Sequence, residues 1–235
     1  MRYSMFEVMY YRPSVWIHAQ RVSWIVEELV PIAGKYFKNF DGEKARILAL
    51  VHDDAEIITG DIQAGHKARM SKKELAVVHN SEHEAIRKLA TRYPTTVGGY
   101  SYKQLLMEAS RKDTPHASSE AKLVTYADRL DAFCESLHEV FAGNLSFIRA
   151  FMFYVKKLQQ ISERPGLENF CLHKGSVFTD LTARGNTRVV ERKYYRVLGK
   201  PHTKASMRTP TDFPFYNRWR ELNILHGISI TSRLE

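Results

Sequence analysis

The sequence predicts an all-α protein: a helical bundle followed by a basic, partly helical C-terminal extension. Three observations carry this. Apolar residues recur at helical spacing through the first two-thirds of the chain, that region has no alternating apolar–polar stretch, and its spacers are short.

The elements follow in order. From Ser14 to about Phe37, Val15, Val22, Ile25, Val26, Leu29 and Val30 mark one face of a first helix. Asn39-Phe40-Asp41-Gly42 interrupts it, and Asp41 can cap a second helix running through Ala45, Leu48, Ala49 and His52 to about Ile58. Thr59-Gly60-Asp61 ends that one. A third helix spans Lys72 to Tyr93 and stops before Pro94; a short fourth spans Tyr102 to Ser110. Ser118 or Ser119 caps a fifth, from Glu120 to about Ala142, with Gly143-Asn144 as its stop. The sixth, Leu145 to about Ile161, carries Ile148, Phe151, Met152, Val155 and Leu158 on one face.

Pro165-Gly166 divides the chain into a core, residues 1–164, and an extension, residues 165–235. Within the extension, Arg188 to Leu198 reads as a helix with Arg188, Arg192 and Arg196 on one face. Lys200 to Pro214 reads as a loop and Phe215 to His226 as a last short helix.

The 235 residues can bury a core without disulfides, and two cysteines cannot build a disulfide scaffold. The start of the chain has no apolar signal core, and no run is long enough to span a membrane. These features exclude a secreted mini-protein, a collagen and a transporter, and point to the cytoplasm. The net charge is +9. Residues 171–235 hold 12 Lys/Arg against 5 Asp/Glu, a balance of +7, which leaves +2 for the rest. Such a segment suits a polyanionic partner, nucleic acid included.

The chemistry concentrates in Leu50-Val51-His52-Asp53-Asp54-Ala55-Glu56-Ile57-Ile58-Thr59-Gly60-Asp61. An adjacent imidazole and carboxylate near a helix end can reach one metal ion. Glu56 stands one turn beyond His52, and Asp61 follows in a loop. Two more segments place a polar group among apolar helical neighbours: His18 in the first helix and Asp128 in the fifth. An unpaired acid buried there would cost several kcal/mol, on the order of the transfer cost of a polar group. A shared metal would resolve that cost.

The order His, His-Asp, Asp on successive helices resembles the HD-domain metal-dependent phosphohydrolases. It is most similar to the branch containing bacterial 5'-deoxynucleotidases. The branch pattern His-Asp-x-x-Glu-x-x-x-Gly-Asp is met by His52, Asp53, Glu56, Gly60 and Asp61, and its Ala-Asp-x-Leu-x-Ala by Ala127, Asp128, Leu130 and Ala132. Ala142-Gly143-Asn144 also looks like the family, and the likeness covers roughly residues 1 to 160. The resemblance implies an HD-domain bundle with His18, His52, Asp53 and Asp128 as metal ligands, and Glu56 and Asp61 as the catalytic acids around the phosphate. It implies one divalent ion, Mn or Co, with Fe, Ni, Zn and Mg as alternatives, and a homodimer, for which the apolar face of the sixth helix is a candidate surface. The family's phosphate- and sugar-binding Arg-Trp has its nearest counterpart in Arg2-Tyr3, with a one-residue insertion. Arg12 is a second candidate for the phosphate, and His66 a candidate pocket residue. Ile17 stands where the family has an acid before its first histidine.

A divalent ion held by two imidazoles and two carboxylates keeps positions open for water and a phosphate oxygen. The expected activity is therefore removal of phosphate from a (deoxy)nucleoside 5'-monophosphate. A nucleoside triphosphohydrolase is the enzymatic alternative. An HD scaffold that binds nucleic acid or a partner through its basic extension is the alternative of another class. His79 and His83, four apart, are expected on the surface of a charged helix, and Trp16, Phe133 and Phe147 in the core.

Overall fold

The computed structural model describes residues 9–11, 13–62, 64–162, 167, 170, 175–180 and 213–229. They form an all-α bundle with one two-stranded hairpin. Arg2, Tyr3, Arg12 and the expected helix from Arg188 to Leu198 lie outside the described residues.

Helix α1, Val15–Tyr36, begins where the Ser14 side chain accepts the Ile17 amide. Helix α2, Gly42–Val51, begins the same way at Asp41, which accepts the Lys44 amide. The second helix was expected to run on to Ile58, but it ends at Val51. There the His52 Nδ1–H bonds the Ala49 carbonyl oxygen at 2.7 Å, so a side chain takes an acceptor at the helix end. Two short helices follow, α3 (Glu56–Thr59) and α4 (Ala64–Lys67). Gly60 closes α3 at a φ of 74°, a backbone state that suits glycine.

Helix α5, Lys72–Arg92, opens on a capping box between Ser71 and Glu74. The strands β1 (Thr96–Val97) and β2 (Tyr100–Ser101) pair antiparallel about Gly98-Gly99. Two-residue strands are too short to show alternation, which is why the sequence shows no strand signal. Helix α6, Tyr102–Ala109, leads to α7, Ser119–Phe141, capped by Ser118. A 3-10 turn at Leu145–Phe147 precedes α8, Ile148–Ser162. The remaining described helices are α9 (Val177–Asp180) and the C-terminal helix α10 (Pro214–Leu225).

Helix α7 is the axis of the molecule. It packs against α1, α2, α8 and α10, and almost every residue from Glu120 to Val140 is buried. Phe133 stacks between Phe151 of α8 and Phe215 of α10, at centroid distances of 5.1 and 5.3 Å. Phe151, Val155 and Leu158 are thus buried within the protomer, and the sixth-helix stripe considered for dimerisation is largely used up. Phe133 and Phe147 lie in the core as expected, whereas Trp16 is 64% exposed. It projects from the outer side of the first turn of α1. Among the described residues, no helix is long and apolar enough to cross a membrane.

A candidate metal centre at the axial helix

An axial helix buried on all sides must find partners for its acids. Asp128, Asp131, Glu135 and Glu139 recur on α7 at spacings of three or four, and all are buried. Each meets a basic or N–H group from another segment. Asp131 and Asp128 face the N-terminal turns of α1 and the end of α2, and there the candidate centre is built.

His18 sits one turn into α1, fully buried. Its Nδ1 lies 2.7 Å from Asp131 Oδ2. A carboxylate accepts, so Nδ1 carries a proton, and in the neutral ring Nε2 presents its lone pair. That Nε2 is 3.4 Å from Asp53 Oδ2 and 3.4 Å from Asp128 Oδ1. His52 follows the same logic. The Ala49 carbonyl can only accept, so the His52 proton is also on Nδ1. Its Nε2 is buried, 3.2 Å from Asp53 Oδ2, and makes no hydrogen bond.

Lone pairs of two imidazoles therefore face carboxylate oxygens across a small gap. Ligand atoms of His18, His52 and Asp53 all lie within 4.8 Å of one another. Facing acceptors need a cation between them, and this donor set fits a divalent transition metal. Burial holds the His52 pKa below its usual value, so its ring stays neutral and able to ligate at pH 7.

The turn after α2 separates two neighbouring acids. Asp53 faces the gap. Asp54 turns away and accepts the Tyr102 hydroxyl at 2.7 Å. Burial raises the Asp54 pKa despite that bond.

The sequence reading missed Lys112. It lies in the segment between α6 and α7, where no periodicity marks it. Its Nζ is 3.2 Å from Asp53 Oδ1 and 3.0 Å from Asp128 Oδ2. The Thr125 hydroxyl of α7 donates to the Lys112 carbonyl at 2.9 Å and pins the segment in place. Arg129, which follows Asp128 on α7, pairs with Asp113 at 2.9 Å and lies 3.4 Å from Asp128. Burial alone would raise the Asp128 pKa. The Lys112 ammonium and Arg129 guanidinium outweigh it and hold the carboxyl well below the ordinary range. Asp53 is also held low: burial opposes this, but His52, charged at the acid pH where the carboxyl titrates, and the Lys112 ammonium prevail.

These groups line a cavity of about 350 Å³ with Glu56, Asp61, Lys67 and His79 in its wall. Glu56 opens α3, and Asp61 follows the Gly60 turn; both are half-buried. His79 is largely exposed on α5, 3.6 Å from Glu82. His66 is half-buried in α4 and is not among the residues lining this cavity, whereas its neighbour Lys67 is.

The chain matches the family model described as 5'-deoxynucleotidase YfbR-like over residues 2–174. It is similar to proteins named 5'-deoxynucleotidase from Yersinia pestis (strain Pestoides F) and Yersinia pseudotuberculosis (serotype O:3, strain YPIII). Each is 28% identical over 165 residues, covering 65% of this chain and 74% of the relative.

Proposed function

The chain belongs to the 5'-deoxynucleotidase YfbR-like family of the HD-domain superfamily, and on that premise we propose that it hydrolyses (deoxy)nucleoside 5'-monophosphates to nucleoside and phosphate. The observation that carries the reading is the convergence of two imidazole Nε2 lone pairs on Asp53, beside a pair of cations, in one wall of an open cavity.

His18, His52, Asp53 and Asp128 hold one divalent ion, Mn or Co. When bound, the ion neutralises phosphate charge and makes water a better nucleophile near pH 7. The chain's own groups do the rest. Lys112 and Arg129 neutralise Asp53 and Asp128 and offer N–H donors to phosphate oxygens. Glu56 orients the attacking water. Asp61, in the loop after Gly60, protonates the leaving 5'-oxygen. Arg2, Tyr3 and Arg12 are proposed contacts to phosphate and sugar. His66 would lie near the substrate, next to Lys67, which lines the cavity.

The catalytic core is taken as residues 1–164, with residues 165–235 as an extension. The enzyme is taken as cytoplasmic, which suits the free, buried thiol of Cys134. A homodimer would have to use a surface other than the α8 stripe.

Phosphate release from ribo- and deoxynucleoside mono- and triphosphates, with Mn or Co added, tests the reading. Metal-dependent release from monophosphates is expected. Release from triphosphates alone would move the assignment to the triphosphohydrolase. Salt-sensitive nucleic-acid binding without any release would favour the binding scaffold. In the same assay, Glu56→Gln and Asp61→Asn are each expected to lower kcat by about 10²–10⁴-fold, the usual scale of acid–base assistance. Both should retain metal on dialysis. Metal loss in both would sink this division of roles.

A further inference from the structure

Helix α10 lies beyond residues 2–174, the span of the family match. Trp219 on this helix is 1% exposed, and its indole Nε1–H donates to Asp131 Oδ1 at 2.7 Å. The other oxygen of the same carboxylate, Oδ2, accepts from His18 Nδ1 at 2.7 Å. A carboxylate held at both oxygens by N–H donors cannot rotate freely. Its plane fixes which His18 nitrogen carries the proton and where Nε2 aims.

Trp219 is itself held firmly. The Arg21 guanidinium lies 4.8 Å from its ring centroid, and Tyr216 stacks on it at 5.9 Å. Arg21 Nε donates to Asn223 at 2.6 Å, and the Asn223 amide donates to the Trp219 carbonyl at 2.7 Å. Arg21 also bonds Glu135 of α7 at 3.0 Å. The helix therefore docks on α1 and α7 through polar contacts that surround the Trp219–Asp131 bond.

We infer that Trp219 is a positioning residue of the metal centre, acting through Asp131 to fix the tautomer and aim of His18, so that the C-terminal helix sets metal affinity. The inference rests on the proposed metal role of His18. Tyr216 provides the contrast. It sits on the same helix and is equally buried, but its hydroxyl bonds His138 Nδ1 at 2.6 Å, away from the candidate ligands.

The test uses the full-length protein and Mn(II), with affinity read by competition against a fluorescent chelator. Trp219→Phe keeps an aromatic ring and removes the N–H. It is expected to weaken Mn(II) binding about 10–100-fold, the scale seen when an outer partner of a ligating histidine is lost. Tyr216→Phe keeps the ring that stacks on Trp219 and removes only the hydroxyl bonded to His138, so it should lower thermal stability and leave Mn(II) affinity within about twofold of the parent. Unchanged affinity in Trp219→Phe, or an equal loss in both variants, would overturn the inference. The second result would mean that undocking the helix, not the Trp219–Asp131 bond, controls the site.

A second measurement reads the alignment without metal. The ¹⁵N resonances of the His18 ring in ion-free protein should report the proton on Nδ1 in the parent and a mixture of tautomers in Trp219→Phe. If the parent binds no Mn(II), the metal reading fails, and this spectrum still decides whether Trp219 aligns His18. Identical spectra in both proteins would refute that alignment.

Discussion

Replacing Asp128 with alanine is expected to abolish both metal retention and nucleotidase activity, the latter by at least about 10³-fold. One side chain carries both effects because it faces three ways. Asp128 Oδ1 lies 3.4 Å from His18 Nε2, while Oδ2 lies 3.0 Å from Lys112 and 3.4 Å from Arg129. Removing it leaves two half-buried cations with one fewer anion. Breaking a buried ion pair by deleting one partner costs about 3–5 kcal/mol. A melting temperature far below that of the parent should accompany the loss of activity. Asp128→Asn keeps the shape and some hydrogen bonding, so it should be better folded and equally inactive. An Asp128→Ala protein that retained Mn and turnover would remove Asp128 from the centre altogether.

Lys112→Met is expected to separate the two jobs of its ammonium. Without metal, Asp53 and Asp128 would be left with Arg129, beside Asp128, as the remaining cation of the Lys112–Arg129 pair. The ion-free variant should lose about 3–5 kcal/mol of stability. Adding Mn supplies the missing charge. At a hundredfold excess over Kd, binding contributes about 2.7 kcal/mol to the native state, so saturating metal should recover much of the deficit. Mn affinity should not fall, because a competing cation has been removed. The KM for a nucleoside monophosphate should rise about 10–100-fold, since a charged hydrogen bond to phosphate contributes about 1.5–3 kcal/mol. Thermal melts with and without Mn, beside steady-state kinetics, would read all three. An ion-free variant as stable as the parent would show that Lys112 does not neutralise the pair.

The helices and their caps were legible in the sequence because local chemistry writes them. Asp41 and Ser118 each cap the helix they precede, as expected, and apolar residues at helical spacing follow each. The end of α2 was not legible. It coincides with a bond from the His52 ring to Ala49 and with backbone turns from Asp54 to Val51 and from Glu56 to Asp53, which helix propensity does not register. His18, His52, Asp53 and Asp128 could be picked out because ligand-type residues stood among apolar helical neighbours, and the structure brings them together. Lys112 could not, since a lysine in an irregular spacer has no period and its partners lie far along the chain. Asp131 left a readable trace that went unused. An aspartate three residues after Asp128 on an apolar helix needs a buried donor, and the donors came from α1 and from the distant C-terminal helix. Long-range partners of this kind are set by packing, and sequence periodicity carries no record of them.

The bond between Arg21 and Asn223 joins residues 202 positions apart. During synthesis, at roughly 5–20 residues per second, about 10–40 s separate their appearance from the ribosome. Through that interval the first helix carries a charged residue whose burial depends on a helix not yet made. The N-terminal two-thirds should therefore emerge as a loosely packed intermediate that a chaperone can hold until helix α10 has been made. Nascent chains arrested before Trp219 are expected to be cut rapidly within α1 by an added protease, and released full-length chains to resist. Equal resistance in both would show that the centre matures on the ribosome.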